Sequence, residues 1–183
     1  MIRTKRLLLR RWRNEDLAEF AAINADQKVM RYFPSTYTYE QSEAQIKRFN
    51  ESIDELGLGF WAAELLETGR CIGFIGLSSL PNELPFSPCI EIGWRLASDV
   101  WRQGLASEGA SQVLNYAFTE LDLTEIVSVT AVSNIASQGV MHKIGMIRQE
   151  STFIHPRVNP SSSLAEHVLF RLHKEDWQKT RAR

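Results

Sequence analysis

The chain has 183 residues, is 44% hydrophobic and 23% charged, and carries a formal net charge of −1. That length and balance suit one domain with a sizeable core and give no reason to expect nucleic acid or a membrane as partner. No apolar run approaches the roughly 18 residues that a bilayer span needs, and the basic start leads into no apolar signal region, so the expected location is the cytoplasm.

Leu7 to Trp12 reads as a short apolar strand set among Arg3, Lys5, Arg6, Arg10, Arg11 and Arg13, with no acid in the first thirteen residues. Such a segment could suit nucleic acid, but Glu15, Asp16 and Glu19 follow at once and the whole chain is near neutral, which fits a solvated edge strand better. Asn14 is expected to cap a helix from Glu15 to about Ala25, with Leu17, Phe20, Ala21 and Asn24 along one side. Thr38-Tyr39-Glu40-Gln41 is a capping box, and Ile46, Phe49, Ile53 and Leu56 carry a second helix to a stop at Gly57 and Gly59. Tyr32, Phe33, Pro34, Tyr37 and Tyr39 make the connector between them rich in aromatics. Core packing and a wall for a substrate are both open readings.

From Phe60 the period changes to two. Strands over Phe60 to Leu66, Cys71 to Leu77 and Cys89 to Leu96 form an antiparallel meander, with a proline-rich surface loop over Pro81 to Pro88. The third strand puts Ile90, Ile92, Trp94 and Leu96 on one face and Glu91, Gly93 and Arg95 on the other. Cys71 and Cys89 read as small buried hydrophobes, and His142, His155, His167 and His173 show no metal-ligand spacing, so no metal is expected. A helix from Leu105 to about Leu121, a strand over Ile126 to Val132, a helix over Asn134 to Ile144 and strands over Ile147 to Phe153 and Glu166 to Leu172 complete the chain. Strand, helix, strand at this spacing implies a right-handed crossover and locally parallel strands. The expectation is a single mixed α/β domain over residues 1–183, its twisted sheet mostly antiparallel and flanked by about four helices.

Trp101-Arg102-Gln103-Gly104-Leu105-Ala106-Ser107-Glu108-Gly109-Ala110 is a glycine-punctuated turn running into a helix, directly after a strand. The first N–H groups of a helix lack partners, and the partial positive charge at its start suits a phosphate. No Gly-Lys-Ser/Thr follows Gly104 and no G-x-G-x-x-G is present, so neither nucleotide-binding fingerprint applies.

Together, Glu91-Ile92-Gly93-Trp94-Arg95-Leu96, Trp101-Arg102-Gln103-Gly104-Leu105-Ala106, and Asn134-Ile135-Ala136-Ser137 running to Lys143-Ile144-Gly145-Met146 resemble the GNAT superfamily of acyl-CoA-dependent N-acyltransferases. The opening Thr4 to Arg10 and the closing Phe170 to Trp177 resemble its ribosomal-protein-alanine acetyltransferase-like branch. The resemblance implies acetyl-CoA as cosubstrate, with the diphosphate held by backbone amides of Arg102, Gln103, Gly104, Leu105, Ala106 and Ser107. It implies that the pantetheine arm pairs with backbone at Trp94 and Leu96, in a gap between two splayed parallel strands, with Asn134 and Ser137 facing it. Trp101 departs from the family's usual Gln or Arg. Met141 stands where many relatives carry a tyrosine acid, which leaves Ser137 as the candidate proton donor.

A lysine-like amine, with a pKa of about 10.4, is mostly protonated at neutral pH, and baring its lone pair in water costs about 4 to 5 kcal/mol. A positioned base is therefore expected, and Glu91, a carboxylate on the strand face opposite the apolar one, is the candidate, with Tyr32, Tyr37 and His155 in reserve. The implied reaction is direct attack of an amine, from a small molecule or a protein N-terminus, on the thioester. A non-catalytic acyl-CoA-binding or scaffolding member of the fold is the alternative. The resemblance is compatible with a homodimer and does not fix the acceptor.

Overall fold

The computed structural model describes residues 1–80 and 84–181 and shows one eight-stranded sheet with helices on both faces. In chain order the elements are β1 (Ile2–Arg3), β2 (Leu7–Arg10), α1 (Leu17–Ala25), α2 (Gln27–Met30), α3 (Tyr39–Leu56), β3 (Phe60–Leu65), β4 (Cys71–Ser79) and β5 (Ile90–Leu96). These are followed by α4 (Leu105–Thr119), β6 (Glu125–Ala131), α5 (Ile135–Lys143), β7 (Ile147–Ile154), β8 (Glu166–His173) and α6 (Lys174–Arg181). The strand order is β1-β2-β3-β4-β5-β6-β8-β7, with β5 and β6 as the parallel pair and every other pairing antiparallel. The mixed α/β class and the parallel crossover through α4 are as the sequence implies. β6 and β7 also run the same way, but the chain's last strand, β8, inserts between them.

Several expectations need correction. The described residues form six helices where about four were expected, the short α2 and the C-terminal α6 being the additions. The α6 segment has no buried residue and so no apolar stripe to read. Asn14 does not cap α1: it begins a single 3-10 turn, Asn14–Asp16, capped from Arg13. Nor is the basic first strand a solvated edge. β1 covers β2, and Arg10 is 3% exposed, held bidentate by Asp16 at 2.7 and 2.8 Å and by Glu64 at 2.6 Å. Burial pushes the Asp16 carboxyl up, but hydrogen bonds from Arg10 and the Arg13 amide outweigh it and leave it below the usual range. The pair therefore stabilises the fold above the ordinary carboxylate pKa and is lost as acid is added.

One face of the sheet packs on α4 and α5. Leu7, Leu9, Ile75, Leu77, Ile92, Val113, Leu114, Phe118, Ile126 and Phe170 are all buried there in one apolar cluster. On the opposite face, α1 and α3 close a second cluster of Trp12, Phe20 and Phe74, joined by Phe49 and Phe60. The capping box of α3 forms as written, Thr38 Oγ1 accepting from the Gln41 amide and Gln41 from the Thr38 amide. Cys71 is buried, and its thiol is pushed up to about 12 by that burial; Cys89 is half-buried, one residue before β5, and is pushed the same way. Of the loop expected over Pro81 to Pro88, Pro81, Asn82 and Glu83 lie outside the described residues. Leu84 is not at the surface but 3% exposed, packed with Leu80, Val127 and Leu169.

Candidate active site

β5 and β6 keep parallel register at a single pair, Glu91 opposite Val127, and part beyond it. Alternation fixes which peptide groups then face the gap. The Ala97 amide bonds Ile72 O on β4, so even-numbered residues of β5 turn their peptides toward β6. The Val132 amide bonds Glu166 O on β8, so the odd-numbered residues of β6 turn theirs toward β5. Trp94 and Leu96 on one side and Val129 and Ala131 on the other thus line the opening. The Leu96 carbonyl accepts the Trp101 indole N–H at 2.8 Å, and Ala131 O accepts the Asn134 amide at 2.9 Å. At the vertex, the buried Ser128 hydroxyl donates to Ile92 O at 2.9 Å.

The turn after β5 ends in two left-handed residues, Arg102 at φ 62° and Gly104 at φ 78°, and α4 begins at Leu105. The first amide that closes a helical bond is Glu108, to Gly104 O at 3.0 Å, and no side chain caps the helix. The amides of Leu105, Ala106 and Ser107 therefore have no acceptor within the helix, and the Ser107 hydroxyl points back to Gly104 O at 2.9 Å. Cations gather around this turn from three places in the chain. Arg6 donates to Gln103 O at 2.9 Å and pairs with Glu108 at 2.7 Å. Arg6 and Lys143 stand 3.7 and 3.9 Å from the point a Gly104 Cβ would occupy. Lys28 and Arg31 lie 5.5 and 5.8 Å over the Trp101 ring. Arg6, Lys28, Arg31 and Lys143 were missed from sequence, because only the fold brings the β1–β2 turn, α2 and the end of α5 to one corner.

Asn134 and Ser137 meet at the start of α5, directly after β6. The Asn134 side chain accepts the Ser137 amide at 3.3 Å and donates to Thr130 Oγ1 at 2.9 Å and Ser137 Oγ at 3.2 Å. Ser137 Oγ thus serves as an acceptor within the cap, and its own proton is directed elsewhere. Met141 is 1% exposed in the core and takes no part.

Glu91 lies on the face of the sheet opposite Ile92 and Trp94, between Ser78 of β4 and Val127 of β6. Among the described residues no group hydrogen-bonds its carboxylate, and burial pushes it up to about 7. Arg95, on the same face, is 6% exposed and does not pair with it; it donates to Asn24 Oδ1 at 2.7 Å and stacks under Phe33 at 4.3 Å and Tyr37 at 5.5 Å. Two of the connector aromatics thus cover a guanidinium rather than joining the aromatic core. Tyr32 stacks on Arg31, and His155 pairs with His167 at 4.8 Å beside Phe153. A groove of about 620 Å³ runs along β7 and β8 on the Glu91 side of the sheet, lined in part by Phe86, Phe153, Leu169 and Arg171. Among the described residues no group of His, Cys, Asp and Glu could hold a metal ion, and no helix is long and apolar enough to cross a membrane.

Residues 6–147 match the acetyltransferase (GNAT) domain family. The chain is 30% identical over 151 residues to the uncharacterized N-acetyltransferase YoaA of Bacillus subtilis, covering 81% of this chain and 84% of that one. It is also 30% identical over 163 residues to the FsC-acetyl coenzyme A-N(2)-transacetylase of Aspergillus fumigatus, covering 85% of this chain and 68% of that one. Among solved structures, a GNAT acetyltransferase from Bacillus anthracis superposes with a TM-score of 0.78 at 26% identity, over 95% of this chain and 98% of that one.

Proposed function

The chain belongs to the GNAT acetyltransferase family, and on that premise we propose that it moves an acetyl group from acetyl-CoA to a primary amine, on a small molecule or a protein N-terminus, by direct attack. The observation that carries this reading is the gap between β5 and β6, with an uncapped helix start at one end and Glu91 on the sheet face beside its vertex. The proposed domain spans residues 1–183. β8 lies beyond the matched residues 6–147 yet forms the middle of the sheet's last three strands.

The chemistry of these residues suits the ligand. Arg102 to Ser107 offer free amides and a left-handed turn to a diphosphate, with Arg6 and Lys143 adding charge. Trp94 and Leu96 offer strand edges to the two amides of a pantetheine arm. Acetyl-CoA, when bound, supplies the thioester carbonyl and a thiolate leaving group. Glu91 takes a proton from the acceptor ammonium, so that the nitrogen lone pair can form the new C–N bond. The Trp94 N–H donates toward the carbonyl oxygen as it gains charge. Ser137 Oγ gives its proton to the sulfur as the C–S bond breaks and is reprotonated, through water, by the second proton that the acylated nitrogen sheds, while Glu91 releases the first to solvent.

The test is to mix the protein with acetyl-CoA and a panel of amines and follow free thiol, beside a melting curve. At a hundredfold excess over Kd, a ligand that binds only the folded state adds about 2.7 kcal/mol, which for a chain of this size raises Tm by roughly 5 to 11 °C. No shift with millimolar acetyl-CoA would overturn the proposal; a shift without thiol release from any amine would favour a non-catalytic acyl-CoA binder. A second expected result concerns Ser137→Ala. It should slow turnover about tenfold at saturating acetyl-CoA while leaving coenzyme A affinity within about twofold, because the Asn134 cap keeps its bond to the residue-137 amide. Calorimetry and steady-state rates on the same preparation would separate the two effects.

A further inference from the structure

The parallel ladder between β5 and β6 stops after one pair, although both strands continue for several residues. Had it gone on, the next rung would have joined the Val129 amide to Ile92 O, and the one after it the Trp94 amide to Val129 O. Ile92 is fully buried, and a buried carbonyl without a donor is strongly disfavoured. Ser128, itself 2% exposed, supplies that donor from its side chain at 2.9 Å. Its neighbours along β6 on the same face, Ile126 and Thr130, are apolar or engaged with Asn134, so no other hydroxyl on the strand serves Ile92.

We propose that Ser128 is a positioning residue that props the sheet open: its hydroxyl satisfies Ile92 O in place of the Val129 amide, so the strands separate there and leave the Trp94 amide free to meet the acyl group. This rests on the reading that acetyl-CoA enters the gap. Without the hydroxyl, Ile92 O must go unpaired or take the Val129 amide, and the second choice draws the strands together so that the following rung, the Trp94 amide on Val129 O, closes as well. That closes the end of the gap nearest Glu91, where the thioester would lie, while the turn at Gly104 is untouched.

The test compares the parent, Ser128→Ala and Ser128→Thr by calorimetry with coenzyme A and with adenosine 3′,5′-bisphosphate, which carries the nucleotide end but no pantetheine, and by amide hydrogen exchange. Ser128→Ala is expected to weaken coenzyme A about tenfold or more, to leave the bisphosphate within about twofold, and to slow exchange at the Trp94 amide. Ser128→Thr, which keeps the hydroxyl, should restore coenzyme A binding. Equal coenzyme A affinity in the parent and Ser128→Ala overturns the inference, as does an equal loss for both ligands. A parent that binds neither ligand overturns the acetyl-CoA reading instead, and Trp94 exchange then still reports on the prop: if it is unchanged in Ser128→Ala, the prop fails as well. Should Ser128→Ala not fold, Ser128→Cys, a weaker donor of similar size, takes its place with the same expected order of effects.

Discussion

Replacing Glu91 by glutamine is expected to lower kcat/KM for an accepted amine by about tenfold to a thousandfold, and at the same time to make the protein more stable in mild alkali. The two effects share one cause. The Glu91 carboxyl is raised from its ordinary 4.5 to about 7 because burial disfavours its charged form and no neighbour among the described residues repays the loss. A base works when ionised, so the parent's kcat/KM should climb through about pH 7 on that account, and glutamine should remove this limb. For stability the sign runs the other way from an ion-paired acid. The folded protein holds this proton more tightly than the unfolded chain, so folding is penalised progressively from about pH 4.5 to 7. Glutamine escapes the penalty, worth on the order of 1 to 3 kcal/mol at pH 8. Melting curves of parent and variant should nearly coincide at pH 4 and separate at pH 8, the variant melting higher. Full activity in Glu91→Gln, with the same pH profile, would make Glu91 a strand residue and direct attention to Tyr32, Tyr37 and His155.

Gly104→Val should raise the dissociation constant for coenzyme A about a hundredfold, equivalent to about 2.7 kcal/mol, with a smaller loss of stability. A Cβ at Gly104 would meet nothing closer than Arg6 at 3.7 Å, so room is not the obstacle. The obstacle is φ 78°, ψ 7°, where an L-residue pays about 1 to 2 kcal/mol and a β-branched one more. The turn can relieve that strain only by rotating, and the amides from Arg102 to Ser107 rotate with it. The expected fall in Tm is a few degrees, and Gly104→Asn, which tolerates this region, should lie between parent and valine. Titration calorimetry decides the matter: unaltered coenzyme A affinity in Gly104→Val would move the phosphate site away from α4.

What the sequence revealed and what it hid divide along physical lines. Period-two alternation placed Glu91 on the face away from Ile92 and Trp94, and a capping box marked α3, because both signals are local. The corner around Gly104 was half legible. Its amides follow from one contiguous stretch, whereas Arg6, Lys28, Arg31 and Lys143 reach it from three others. Arg10 misled, since a guanidinium in a basic run reads as solvated until the fold supplies Asp16 and Glu64. Leu84 misled for the converse reason: prolines marked its loop as surface, and only the tertiary contact with Leu80, Val127 and Leu169 buries it. Ser128 gave no signal at all, because a serine within an apolar strand declares nothing until the ladder beside it is seen to stop.

Arg6 ties the first hairpin to the turn before α4, bonding Gln103 O and Glu108 together, and Thr4 Oγ1 donates to the same carboxylate at 2.6 Å. The extreme N-terminal segment and the corner at Gly104 are therefore one mechanical unit. β1 is two residues long and lies at the sheet's edge, so it is a natural place for the fold to fray. When it lifts, the Thr4 bond to Glu108 loosens, while Arg6 stays tied through its carbonyl to the Leu66 amide. A ligand seated at that turn and a first hairpin lying flat would then favour each other to the same degree, since such coupling is reciprocal.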